Sequence, residues 1–222
     1  MRFLPVVPLC LALLCAIRAA DKPVDPAKVV AAFEKAGATV TDDSVPDKIR
    51  LKLAFKRWDA VKMLPFKGSP HVVSLVVEDC SKVNDAALAL IASMPNLEKL
   101  ELFKPPLTIA GLAPLKNHKI LKNLTIADAK IGDKAIAPLK TVDTLEELDL
   151  TGTLITDAAA ETFTDLPNLK ILVVANTRFT GKGALQLKDM KQLKELNALN
   201  CEVSAKDAMT LEAAIKKIKI KR

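Results

Sequence analysis

Apolar residues recur along the chain at the first, fourth and sixth places of a unit about two dozen residues long. Leu97, Leu100 and Leu102 form one copy, followed by Leu121, Leu124 and Ile126, then Leu145, Leu148 and Leu150, then Leu169, Leu172 and Val174. These copies start 24 residues apart. Val72, Leu75 and Val77 begin 25 residues before Leu97, and Leu193, Leu196 and Ala198 begin 24 after Leu169. A degenerate copy is expected from Lys48, with Leu51 and Leu53 in the fourth and sixth places. That makes seven units whose outer members are atypical, as the caps of a repeat array are.

Places four and six are two residues apart, so their side chains share one face of a short strand while places three and five share the other. The second half of the unit also recurs. Thr153-Leu154-Ile155-Thr156-Asp157 matches Ala129-Lys130-Ile131-Gly132-Asp133 and Thr177-Arg178-Phe179-Thr180-Gly181. Asp85, Asp133, Asp157 and Asp207 stand just before Ala-rich apolar stretches, where a carboxylate is expected to cap the start of a helix. Pro-Asn appears at 95–96 and 167–168, immediately before the next leucine. One strand-plus-helix unit cannot hide its apolar side alone, so the pattern requires stacking.

These units resemble the bacterial leucine-rich-repeat family that carries a Thr-x-Ile-Thr-Asp signature, over about residues 48–216. The resemblance implies an α/β fold: a curved solenoid with parallel β-strands on the concave face, short helices on the convex face and no cofactor.

Flanking segments complete the organisation. Residues 1–20 carry Arg2, an apolar run from Phe3 to Ile17, and Arg18-Ala19-Ala20. A basic start, a short apolar core and small residues describe a signal peptide, expected to be cut after Ala19 or Ala20. The run is shorter than the roughly 20 apolar residues that span a bilayer. Export would place the mature chain in the periplasm or outside the cell. Residues 21–47 read as an N-terminal cap. Asp25 suits an N-cap, Pro26 the first turn and Gly37 the exit, with Val29, Ala32, Phe33 and Ala36 on one stripe. Ala38–Val40 reads as a short strand. Residues 217–222 form a basic tail or a last strand, since Ile218-Lys219-Ile220-Lys221 alternates with period two.

The formal charge of +7 changes this picture little. Loss of Arg2 and Arg18 would take it to +5, and most of the rest sits at Lys216, Lys217, Lys219, Lys221 and Arg222. No basic stripe interleaved with aromatics crosses the strands, which argues against nucleic acid. His71 and His118 are the only histidines, lie near strand entries and have no nucleophile beside them in sequence, so both read as surface loop residues. Cys80 and Cys201 share the ninth place of units five apart, or about 24 Å at strand spacing. A disulfide needs Cα atoms within about 7 Å, so two free, mostly buried thiols are expected. Trp58, where other units have Ile, reads as packing.

Function therefore falls to the outward strand places. The fifth-place row reads Val76, Glu101, Thr125, Asp149, Val173, Asn197, and the third-place row Ser74, Lys99, Asn123, Glu147, Ile171, Glu195. Phe103, at place seven, adds an aromatic. Glu101, Phe103, Thr125, Glu147, Asp149, Val173 and Asn197 are the candidate contact residues, with an acidic centre at Glu101, Glu147 and Asp149. This mixture suits a non-catalytic module for a protein partner, with a glycan as a further ligand class. The alternative is a structural envelope component held to an anionic polymer or membrane surface by the tail.

Overall fold

The computed structural model describes residues 25–45, 48–116 and 118–222. The expected signal peptide lies outside them. Among the described residues the chain builds one nine-stranded sheet in simple sequence order, β1 to β9. The strands are β1 (Ala38–Asp42), β2 (Leu51–Arg57), β3 (Val72–Asp79), β4 (Lys99–Phe103), β5 (Asn123–Ala127), β6 (Glu147–Asp149), β7 (Ile171–Val173), β8 (Glu195–Asn197) and β9 (Lys219–Lys221). Only the β1–β2 pair is antiparallel; every later pair is parallel. Parallel neighbours need a crossover, and here each return path carries a short helix or 3₁₀ turn. This is the leucine-rich-repeat solenoid.

The leucine register holds along the array. Leu75, Leu100, Leu124, Leu148, Leu172, Leu196 and Ile220 stand opposite one another in successive strands. Those six leucines are fully buried, as are Val77, Leu102, Ile126, Leu150, Val174 and Ala198 at place six. One core cluster runs from Val29 in the cap to Ile218 beside the last strand.

At the first unit the register differs from the sequence expectation. Leu53 and Phe55, not Leu51 and Leu53, pair with Leu75 and Val77, after a shift between Leu51 and Lys52. Leu51, Leu53 and Phe55 alternate with period two, so a slip of two residues keeps the same face inward. An aromatic thus fills a place where a leucine template overlooks it. Arg57 pairs with Asp79, which sets Trp58 at the ninth place, level with Cys80, rather than at the Ile place. Its role is still packing: the indole is fully buried, edge-on to Phe55 with ring centroids 6.0 Å apart.

A helix precedes the first strand. Helix α1 (Pro26–Ala36) has Asp25 accepting from the Ala27 N–H and Gly37 in the left-handed region at φ 100°. Val29 and Phe33 on its inner stripe are buried, and Phe33 stacks on Phe66 with ring centroids 4.1 Å apart.

Asp85, Asp133 and Asp157 do not cap their own helices. The caps are the residues before them, Asn84, Gly132 and Thr156, and each aspartate is the first helical residue. Their carboxylates reach one unit onward instead. Asp133 accepts from the Thr156 N–H and hydroxyl, both at 2.8 Å, and Asp157 from those of Thr180 at 2.7 and 2.8 Å. Asp85 takes the N–H and hydroxyl of Thr108 in the same way. Two donors of the next unit satisfy both carboxylate oxygens, which a bond to a local helix end would not do. Asp207 does serve its own helix, in a capping box with Ser204 over Ala205–Ala214.

A second inter-unit tie uses the residue just before the first leucine in four of the units. Asn96 donates to the Pro70 carbonyl, Thr144 to Leu121, Asn168 to Asp143 and Gln192 to Leu166. The turn after each strand adds a third regularity. Lys104, Asp128, Gly152, Asn176 and Asn200 all occupy place eight, with φ of 55°, 54°, 68°, 56° and 59°. Gly, Asn and Asp tolerate this left-handed region best, and Lys104 is the costly exception.

Candidate binding face

Because places four and six are committed to the core, places three and five must face outward across the concave sheet. Strand pairing aligns Val76, Glu101, Thr125, Asp149, Val173, Asn197 and Lys221 in one row. Ser74, Lys99, Asn123, Glu147, Ile171, Glu195 and Lys219 form the other. All seven sequence-proposed residues therefore share one face. Glu101, Thr125, Glu147, Asp149, Val173 and Asn197 are half-buried, and Phe103, at the end of β4, is 40% exposed.

The acidic centre is less uniform than the sequence suggests. Lys99 lies 2.7 Å from the Glu101 carboxylate, within the same strand. Asn123 donates to Glu147 at 2.6 Å, and Asp149 accepts from the Thr151 N–H and hydroxyl at 2.8 and 2.6 Å. Among the described residues neither Glu147 nor Asp149 pairs with a cation, whereas Glu195 has Lys221 at 2.6 Å. On the next strand Ile171 and Val173 stand opposite those two acids, both half-buried. The step from β6 to β7 thus sets two carboxylates beside two aliphatic side chains.

Sequence reasoning missed a further row at place two. Arg50 bonds Glu98 at 3.0 Å, Lys122 lies 3.5 Å from the same carboxylate, and Lys170 contacts Glu146 at 2.6 Å. Partial burial raises the pKa of Glu98, but the hydrogen bonds and charges of Arg50 and Lys122 outweigh it and hold the carboxyl below its ordinary value. The hydrogen bond from Lys170 does the same for Glu146. The signal was present: Glu98, Lys122, Glu146, Lys170 and Lys194 recur at 24-residue spacing with mixed sign.

The C-terminal basic segment resolves as a strand. Ile218 is buried and Ile220 half-buried, while Lys219 and Lys221 join the outward rows. Two of its cations thus belong to the sheet face, one of them bonded to Glu195.

The two histidines are not freely solvated loop residues. Both are half-buried between units, His118 Nε2 lies 3.3 Å from the Met94 carbonyl, and among the described residues His71 Nε2 and His118 Nδ1 have no partner. Burial lowers the pKa of each, against a smaller upward pull on His118 from the Met94 carbonyl. A folded pKa below the unfolded value, about 6.5, means the charged form favours unfolding. Stability from this source is full above about pH 6.5 and is lost as pH falls, by no more than about 1.4 kcal/mol per pH unit for each histidine. Thermal unfolding at pH 7.5 and 5.0 checks this. The drop should shrink in His71→Gln/His118→Gln, and an unchanged drop would assign the acid sensitivity elsewhere.

Cys80 and Cys201 are both free, as expected. Cys80 is buried, donates to the Val77 carbonyl at 3.2 Å and accepts from the Phe103 N–H at 3.3 Å. Burial pushes its thiol up to about 11, which makes it a poor nucleophile. Cys201 is half-buried, less enclosed than its place in the turn suggests, and donates to the Val174 carbonyl at 3.1 Å. Among the described residues no helix is long and apolar enough to cross a membrane.

The family profile for leucine-rich repeats matches residues 143–202. No curated protein sequence matches the chain. Among solved structures it is similar to internalin C2 of Listeria monocytogenes, with 19% identity and a TM-score of 0.53, covering 70% of this chain and 63% of that one. It is also similar to a leucine-rich-repeat protein of Leptospira interrogans, with 18% identity and a TM-score of 0.50, covering 76% of this chain and 41% of that one. The chain thus spans less than two thirds of the length of either. Likeness at this identity speaks to the fold, and it agrees with the stacked strands and the recurring leucines. The chain thus has the fold of a leucine-rich-repeat solenoid, and its residues 143–202 match the leucine-rich-repeat profile.

Proposed function

We propose that the chain is an exported, non-catalytic recognition module that holds a protein partner against its concave sheet. The observation that carries this is the pair of outward rows: half-exposed acids, amides and aliphatics held rigidly by a buried leucine ladder. Rigid strands lower the ordering cost of binding, and a mixed polar and apolar surface matches the make-up of protein interfaces. Glu147 and Asp149, with Ile171 and Val173 beside them, form the centre of the contact, and Phe103 extends it toward β4. Export is inferred from the basic, apolar and small-residue pattern of residues 1–20. A glycan remains the second ligand class for the same polar rows.

Affinity capture from an envelope extract tests the face, using three baits: the mature chain, Glu147→Lys/Asp149→Lys, and Glu161→Lys/Glu212→Lys on exposed outer-helix sites. Partners should be lost from the second bait alone. Identical recovery on all three, or loss only from the third, would contradict the assignment.

A further inference from the structure

On the opposite, convex side a groove of about 440 Å³ opens between the outer segments of two adjacent units. It is lined by Ala113, Ala137, Pro138 and Thr141 together with Lys116, Lys134 and Lys140. No carboxylate lines it, and among the described residues none of the three lysines makes an ion pair. On the concave rows, by comparison, Lys99, Lys122, Lys170 and Lys221 are each matched by a glutamate, whereas among the described residues Lys194 and Lys219 are not.

The groove also lies at a junction that the Asp–Thr tie does not close. Ile109 stands where an aspartate would reach onward, and Gly132 where the receiving threonine would be. The junctions on either side carry that tie, Asp85 to Thr108 and Asp133 to Thr156. At another untied junction, Gly181 to Ser204, the Asp207 carboxylate fills the space beside Gly181.

We propose that this groove is a second binding site, independent of the concave face, for a phosphate-bearing anion. Three lysines lining one groove beside two alanines and a proline raise the positive potential there. Lysine suits tetrahedral oxyanions as a compact point charge with rotatable donors. The alanines and the proline leave room for the small carbon skeleton that carries the phosphate. The source is either a free phosphorylated molecule or the phosphate of an anionic polymer.

Titration of the labelled protein with pyrophosphate, long-chain polyphosphate and neutral dextran decides it, read from the amide chemical shifts of Ala113 and Ala137. Pyrophosphate should shift both with a Kd at or below about 1 mM. Polyphosphate tighter than pyrophosphate, per phosphate, points to a polymer, and equal affinity points to a free anion. Lys116→Gln/Lys134→Gln/Lys140→Gln should weaken binding at least about tenfold, while Lys182→Gln/Lys206→Gln/Lys216→Gln, with the same loss of charge, should leave it within about twofold. No shift with either phosphate, shifts with dextran as well, or equal weakening in both variants would overturn the proposal.

Discussion

Leu148→Ala should lower stability by about 3–5 kcal/mol, at the upper end of what truncating a buried leucine costs. Leu148 is fully buried in β6, and its strand neighbours on either side are Leu124 and Leu172, themselves fully buried. The layers above and below are held by their own units and cannot collapse into the gap without breaking strand register. Energy lost is then the transfer term plus most of the cavity term. In a solenoid each unit leans on its nearest neighbours, so a weak central layer also loosens the coupling between the two halves. Urea unfolding followed by circular dichroism gives the loss. Trp58, the single tryptophan, reports separately on the first unit. Val173→Ala is the control, since that half-buried side chain faces outward, and should cost under about 1 kcal/mol. Equal losses for the two would mean that the inward and outward rows are misassigned.

Asp157→Ala should cost about 2–3 kcal/mol, more than an exposed carboxylate is normally worth, because it removes two hydrogen bonds to a charged acceptor. The Thr180 N–H and hydroxyl lose their partner together. Asp157→Asn keeps an acceptor for the N–H and should lose about half as much. Gly183 supplies an internal check: a side chain there would collide with both the Asp157 carboxylate and the Phe179 ring. Gly183→Ala should therefore be less harmful in the Asp157→Ala background than alone, a coupling that a double-mutant cycle measures. Additive losses, or a loss under about 0.5 kcal/mol for Asp157→Ala, would remove the tie from the account.

The leucine register was readable in advance because its consequence is simple. Places four and six recur at fixed spacing, and only one stacking arrangement buries them all. Glu101, Thr125, Asp149, Val173 and Asn197 followed from the same alternation, with no need to know side-chain conformations. What could not be read was where a polar side chain spends its hydrogen bonds. Asp133 and Asp157 looked like caps because capping is a local signal, whereas their partners lie 23 residues away in the next unit. The first unit was misplaced for a related reason: Leu51, Leu53 and Phe55 offer two equivalent registers, and only the pairing with β3 chooses between them. The histidines read as exposed because each sits at a strand entry, and the closeness of neighbouring units encloses them. On the outward rows, sequence could count acids but could not tell that Glu101 already has Lys99 while, among the described residues, Glu147 and Asp149 have no cation.

Side-chain oxidation footprinting with a captured partner tests the central claim most directly. Phe103 and Leu199 are exposed at 40% and 43% on the sheet side, and Val61 and Met209, at 82% and 70%, are exposed on outer helices. The partner should lower oxidation of Phe103 and Leu199 severalfold and leave Val61 and Met209 unchanged. Protection of Val61 and Met209 with no change at Phe103 and Leu199 would show that the partner is held by the other side of the solenoid.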